Sequence, residues 1–398
     1  MKWEKVKLGD VIDTCLGKML DKNKNHGVYQ PYLANLNVRW GSFSLDNLEM
    51  MKFEESENER YGLKYGDLVI CEGGEPGRCA VWKNAVPNMK IQKALHRVRT
   101  HQCLYNFYLY YWFLLAGKTG ELEQYFTGAT IKHMPAQKLR EVVISLPPLP
   151  IQQRIASILS AYDDLIENNQ KQIKLLEEAA QRLYKEWFVD LRFPGHEGVR
   201  VVDGVPEGWK KTRLDEVTTV LKRGISPKYD ENGEFTVINQ KCIRKNVVEY
   251  SESRKQSKKY AEELQLQEND TVICSTGIGT LGRVGQIYNV YPNSTFDSHV
   301  TLVRANNLIG KQFLFWSLKL LQPYLMSLGK GSTNQQELYK TDLAVCLLLL
   351  PAEYLMSDFE KKAQELHDII AVKTKQISSL REARDRLLPK LMSGEIEV

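Results

Sequence analysis

Paired thiols are missing from this sequence: its seven cysteines are odd in number and include no C-x-x-C spacing. A disulfide framework is therefore not expected, and reduced thiols are. The seven histidines include no H-E-x-x-H, and no Cys/His spacing suits a structural or catalytic zinc site. Long hydrophobic runs are absent too. The longest, LAVCLLLLPA at 343–352, falls far short of a bilayer span and is expected to form a buried strand. The opening MKWEKVKLGD carries charges where an export signal needs an apolar centre, so a cytoplasmic protein with no membrane partner is expected. Neither sign of charge dominates. A formal net charge of +5 permits a nucleic-acid partner without arguing for one.

What is present describes a folded protein of more than one domain. With 398 residues, 43% hydrophobic and 26% charged, the chain is too long for one ordinary core, and two or three domains are expected. It also repeats itself, with an offset of about 203 to 206 residues. W-E-K-V-K-L-G-D-V from Trp3 matches W-K-K-T-R-L-D-E-V from Trp209, and P-Y-L-A-N-L-N at 31–37 matches F-T-V-I-N-Q-K at 235–241, which sets Asn35 opposite Asn239. G-D-L-V-I-C at 66–71 pairs with N-D-T-V-I-C at 269–274, each followed by a glycine-rich turn and Gly-Arg. T-G-A-T at 127–130 pairs with K-G-S-T at 330–333, and an apolar strand then ends at Pro148 and at Pro351.

Each copy closes on a long helical pattern. The first has seam positions 155, 159, 162, 166, 169, 173, 176, 180, 183 and 187, alternating steps of four and three. The second runs 359, 363, 366, 370, 373, 377, 380, 384, 387 and 391. A helix of about 37 residues would extend roughly 55 Å, too long for one small domain to cover. The two are expected to pair antiparallel, with Asn169 and Lys373 meeting near the middle as a polar contact that fixes register. The fold class expected is α+β: two tandem mixed α/β modules separated by two long antiparallel coiled-coil helices with an approximate two-fold. Such an object is a spacer with two heads, suited to two DNA half-sites.

The repeated G-D-L-V-I-C and N-D-T-V-I-C strands, T-G-A-T with K-G-S-T, and above all L-P-P-L-P-I-Q-Q-R-I-A-S-I-L before the first helix resemble the specificity (S) subunit of type I restriction-modification enzymes. The resemblance covers nearly the whole chain. It implies a first target-recognition domain at 1–150, a spacer helix at 151–192, a second target-recognition domain at 193–352 and a C-terminal spacer helix at 353–398. It further implies that each module reads half of a bipartite site in double-stranded DNA, that the helices dock two methyltransferase (M) subunits, and that restriction (R) subunits join the full complex. S-adenosylmethionine and ATP chemistry would belong to the partner chains, so no cofactor and no catalytic residue is expected here. The second copy departs from the pattern, since L-P-A-E-Y-L-M-S-D-F lacks the residues of Pro147–Gln153.

Enzymatic alternatives have weak support. T-G-I-G-T-L-G at 276–282 contains a formal G-x-G-x-x-G, but the strand-like RVGQIYNVYP follows it, so a tight turn in a sheet is expected instead. The Asn/Asp-Pro-Pro-Tyr/Phe stretch of an amino-methyltransferase is absent. The rival from another class is a scaffold whose modules bind protein. For DNA contact the candidates of the first module are Lys18, Lys22, Lys24, Asn35, Asn37 and Arg39, with Trp40 beside them. Those of the second are Lys222, Arg223, Lys228, Asn239, Gln240, Lys241, Arg244 and Lys245, followed by Arg254, Lys255, Lys258 and Lys259. The cations suit phosphates, and the amides could read an adenine edge. Asn35 and Asn239 could equally cap turns. NFYLYYWFLL at 106–115 has the look of a stacking platform but the periodicity of a buried helix.

Overall fold

The computed structural model describes residues 3–21, 25–244, 246–277, 279–331 and 336–398. Lys22, Lys24 and Lys245 lie outside the described residues. Two compact units form: Met1–Ile166 together with Ser379–Val398, and Glu167–Ser378.

In the first unit an antiparallel sheet runs Ile12–Leu16, Leu95–Thr100, Leu68–Cys71, Cys79–Val81 in spatial order. The apolar run LVIC of Leu68–Cys71 is buried throughout, as expected of a central strand that is covered on both faces. A three-stranded sheet (Glu49–Phe53, Val28–Leu33, Lys90–Ile91) lies beside it in the same unit, and Glu4–Lys7 pairs with Val143–Leu146. The second unit repeats the plan. Thr218–Arg223, Val300–Ala305, Thr271–Cys274 and Val284–Gln286 keep the same order, and the short strands Val247–Val248 and Ile243–Arg244 extend that sheet to six. Arg254–Gln256, Phe235–Ile238 and Ser294–Phe296 form the three-stranded partner, and Lys210–Arg213 pairs with Leu347–Leu350.

Three duplicated details explain why G-D-L-V-I-C and N-D-T-V-I-C recur. Asp67 accepts from Arg99 at 2.8 and 3.2 Å, and Asp270 accepts from Arg304 at 2.8 and 2.7 Å. Each aspartate also accepts from the backbone N–H three residues earlier, of Lys64 or Gln267, closing the turn into the strand. The residue before the aspartate has positive φ, +89° at Gly66 and +69° at Asn269, which glycine adopts freely and asparagine tolerates best among the others.

The aromatic stretch is the helix Asn106–Thr119, with Tyr108, Tyr111, Trp112 and Phe113 buried in the core, so it supplies packing and no stacking platform. The run at 343–352 is less buried than expected. Leu343 belongs to a short helix, Lys340–Ala344, and only Leu347–Leu350 is strand. Its sole partner strand among the described residues is Lys210–Arg213, and Leu347, at its start, is exposed.

The two long helices are Leu149–Phe188 and Glu353–Ser393. Within the first unit Ile155, Ala156 and Leu159 pack with Leu388, Leu391 and Met392. Within the second, Tyr184, Trp187 and Phe188 pack with Leu355, Phe359 and Ala363, and the Phe188 ring stands edge-on to Phe313 and Phe359 at 4.9 and 5.0 Å. In both units rising numbers on one helix meet falling numbers on the other, which is antiparallel packing. The seam positions expected from the step pattern are the buried or half-buried ones throughout.

Asn169 is indeed turned inward, but its partner differs from the expected one. Its amide donates to Gln376 Oε1 at 3.4 Å, so Lys373 is not the residue opposite. Pairing by counting from the ends of each pattern misplaces the register by about one helical turn.

The helix start in the second copy also uses different chemistry. In the first copy Gln152 Oε1 accepts from Tyr105 N at 2.8 Å, and its Nε2 donates to Cys103 O and Pro147 O. In the second, Glu360 accepts from Gln312 N and Phe313 N at 3.0 and 3.1 Å, tying the start of helix Lys311–Leu320. The missing glutamines are thus replaced by a carboxylate further along the helix.

Candidate nucleic-acid interface

The hairpins Leu68–Cys71/Cys79–Val81 and Thr271–Cys274/Val284–Gln286 each turn on glycines, and in each unit the loop after the strand Val28–Leu33 or Phe235–Ile238 closes over that turn. In the first unit Asn35 Nδ2 donates to Gly73 O at 2.7 Å, and its Oδ1 accepts from Arg78 at 3.1 Å. Gly74 lies directly beneath at φ +73°, where a Cβ would come within 2.6 Å of Asn35 Nδ2. In the second unit the residue over the matching glycine is Gln240: a Cβ on Gly277, φ +101°, would come within 2.7 Å of its Oε1.

This corrects the pairing of Asn35 with Asn239. The turn geometry places Asn239 opposite Ala34, because the N–H of each is met by the residue three further on, Asn37 Oδ1 for Ala34 and Cys242 Sγ for Asn239. Asn239 itself braces the turn: its Oδ1 accepts from Lys241 N at 2.8 Å and its Nδ2 donates to Glu252 O at 2.9 Å.

Several other candidates are also occupied internally. Lys18 is 4% exposed, its ammonium 2.5 Å from Glu57 and 3.0 Å from Lys52 O, so it serves the core and not a surface. Asn37 also donates to Ser44 O at 3.0 Å, and the Trp40 indole donates to Glu75 at 2.6 Å. Lys222 pairs with Glu263 at 2.5 Å, and Arg223 pairs with Glu337 at 3.1 Å while donating to Ser298 O at 2.9 Å. Arg39, Lys228, Lys241 and Arg244 are exposed. Arg244 donates to Lys241 O at 3.0 Å, which holds those two together.

The sequence had no means of singling out Tyr229. Its ring lies 3.5 Å beneath the Arg254 guanidinium, Ser257 N donates to Lys228 O, and Lys258 Nζ donates to Ser226 O at 3.1 Å. These contacts gather Lys228, Arg254 and Lys258 at one sheet edge, a cationic rim of the kind that suits phosphates. Thr276 and His299 were also unmarked. Thr276 Oγ1 lies 3.3 Å from Gln240 Oε1 and 2.6 Å from His299 Nδ1, and His299 reaches it from a loop remote in sequence.

The formal G-x-G-x-x-G opens no helix: the strand Val284–Gln286 follows and pairs antiparallel with Thr271–Cys274. A dinucleotide phosphate would therefore have no helix N-terminus to rest on. Burial pushes the thiol of Cys71 up to about 11 and that of Cys274 up to about 12, so both behave as small apolar side chains. Among the described residues no group of three or more His, Cys, Asp or Glu could hold a metal ion, and no helix is long and apolar enough to cross a membrane.

Comparison with known proteins gives a consistent result. The type I restriction modification DNA specificity domain matches residues 1–178 and again 206–353. The chain is 30% identical to the type I restriction enzyme MjaIX specificity subunit of Methanocaldococcus jannaschii over 84% of this chain and 78% of that one. It is 24% identical to the MjaVIII specificity subunit of the same organism over 100% of this chain and 93% of that one. Among solved structures, the type I restriction-modification S subunit from M. genitalium has the same fold, with a TM-score of 0.58 at 17% identity, covering 98% of this chain and 96% of that chain.

Proposed function

The chain belongs to the type I restriction-modification DNA specificity family, and from that premise we propose how it works. It is a DNA sequence-recognition subunit that chooses where two M subunits methylate and where R subunits act in the full complex. Each unit reads one half of a bipartite duplex target. The chain performs no chemistry of its own and works in the cytoplasm. Residues 1–150 and 193–352 serve as the reading modules, and the helices at 151–192 and 353–398 dock the M subunits and set the length of the unread gap.

Duplication is the observation that carries this reading. The specificity domain matches twice, and both copies build the same corner, an amide side chain seated on a positive-φ glycine of a hairpin turn. What differs between the two corners is what a reader of two different half-sites needs to vary. Arg39 in the first module and Lys228, Lys241, Arg244, Arg254 and Lys258 in the second contact phosphates, which set position and carry no sequence information.

Mapping adenine methylation across the host genome with and without this gene tests the reading. The expected result is the loss of one bipartite motif with a fixed gap. An unchanged methylome in a host where the chain co-purifies with an M subunit would overturn it. Exchanging residues 1–150 for those of a relative is expected to change one half of that motif and leave the other intact.

A further inference from the structure

Three loop tips converge in the second unit. Gln240 sits in the turn after strand Phe235–Ile238, Thr276 on the glycine turn, and His299 in the loop before strand Val300–Ala305. The loop around His299 is held from several sides: Asp297 Oδ1 accepts from His299 N at 2.9 Å, Ser275 N donates to His299 O at 2.8 Å, and Arg223 holds Ser298 O. Glu337, bridged to Thr276 along the backbone, has its charge compensated by Arg223. The His299 side chain is exposed and Gln240 half exposed, whereas Thr276 between them is buried.

Counting protons fixes what this group displays. The Thr276 hydroxyl has one proton and, among the described residues, two hydrogen-bonding neighbours. Gln240 Oε1 can only accept, so it takes that proton, and the hydroxyl oxygen is left to accept from His299 Nδ1–H. His299 in its neutral form then carries a lone pair on Nε2, and Gln240 keeps its amide N–H groups. One hydroxyl thereby sets a donor and an acceptor side by side.

Resting on the proposed role in DNA recognition, we infer that Gln240 and His299 are the specificity-determining pair of the second unit and read an adenine in the major groove. The Gln240 amide donates to N7, and His299 Nε2 accepts from the N6 amino group. Guanine offers O6 in place of that amino group, so an acceptor would face an acceptor, and the pyrimidines lack N7. The reading is private to the second half-site. In the first unit both ends of the Asn35 amide are engaged by Gly73 and Arg78. Gly73 stands where Thr276 does, and Ala94, whose carbonyl accepts from Glu72 N, stands where His299 does.

The test compares methylomes of strains carrying the wild-type chain, Gln240→Leu, Thr276→Val and His299→Leu, each in complex with its methyltransferase partner. One adenine of the second half-site is expected to become degenerate in all three while the first half-site is unchanged, with discrimination at that position falling by about 5- to 150-fold. A wild-type motif that persists unaltered in every variant overturns the inference and leaves the recognition reading standing. Absence of any bipartite motif in the wild type would instead sink the recognition reading itself. If a variant loses methylation altogether, binding of the purified complex is measured against duplexes carrying 7-deazaadenine at each second-half-site adenine in turn. The wild type is expected to lose affinity at one position to which Gln240→Leu has become indifferent; equal sensitivity of the two complexes overturns the inference.

Discussion

Arg384 stands at a seam position where the helical pattern calls for an apolar residue, and its removal is the sharpest test of how the first unit is held together. Its guanidinium lies 2.5 Å from Asp163, whose other carboxylate oxygen accepts from Tyr111 Oη at 2.7 Å. Arg384 also reaches Asp385 at 2.9 Å, and Lys118 closes on Asp385 at 2.6 Å. The Arg384 and Asp163 side chains are only 15% and 26% exposed. Breaking a fully buried pair from one side costs about 3–5 kcal/mol, and the remaining solvent access reduces that to about 2 kcal/mol for Arg384→Met. For a unit of this size that is a fall in melting temperature of about 4–8 °C. Replacing both partners, Asp163→Leu with Arg384→Met, leaves no uncompensated charge and is expected to cost less than the single change. Hydrogen exchange read peptide by peptide should show the loss of protection confined to residues 3–166 and 379–398. As a control, Arg386→Met removes an exposed pair with Glu382 and is expected to shift nothing measurable. An Arg384→Met variant as stable as that control, or a double variant whose cost is the sum of its parts, would refute the reasoning.

Three further outcomes follow from the same structure. His367 stacks on Tyr288 at 4.3 Å, and burial pushes its imidazole down to about 4. The unfolded chain therefore binds a proton that the folded one refuses between about pH 6.5 and 4, so lowering pH through that window removes up to about 3 kcal/mol of stability, and His367→Phe should flatten this part of the pH profile in urea unfolding. At Gly17 a Cβ would run into the backbone carbonyl of Gln92, and at Gly224 into those of Phe296 and Asp297, so alanine at either should cost about 3 kcal/mol or more, read as poor soluble yield or a lowered denaturation midpoint of the affected unit. Neutralising Lys228, Arg254 and Lys258 together should reduce the salt dependence of DNA binding by about 0.9 in slope for each phosphate left without its cation, with no change in the motif recognised.

The helix seam was legible because steps of four and three survive any loop rearrangement: Ile155, Leu159, Ile166, Phe359, Ala363 and Ile370 all face inward as the spacing requires. The partner of Asn169 was not, since antiparallel register depends on where both helices are anchored, and Gln376 is one step off the seam. The duplication was legible in its strands and blurred in its loops. A-N-L-N at 34–37 and I-N-Q-K at 238–241 share an asparagine that invites an alignment one residue out of step, and this hid the match between Asn35 and Gln240. Lysines carry no mark of their partners in the sequence, so Lys18, buried against Glu57, looked the same as Lys228 at the rim. His299 was invisible for a different reason: its only tie to Thr276 is spatial, made by a loop that no local pattern announces.

The core of the first unit takes Leu388, Leu391 and Met392 from the far end of the chain. On the ribosome, at about 5–20 residues per second, the segment up to Ile166 emerges roughly 10–50 s before the residues that complete it, while Glu167–Ser378 has all its own parts in hand earlier. The module synthesised first is thus the module finished last. During that interval Ile155 and Leu159 lack the cover of Leu388, Leu391 and Met392 and Asp163 lacks Arg384, which makes the nascent first module the stage of synthesis most in need of a chaperone.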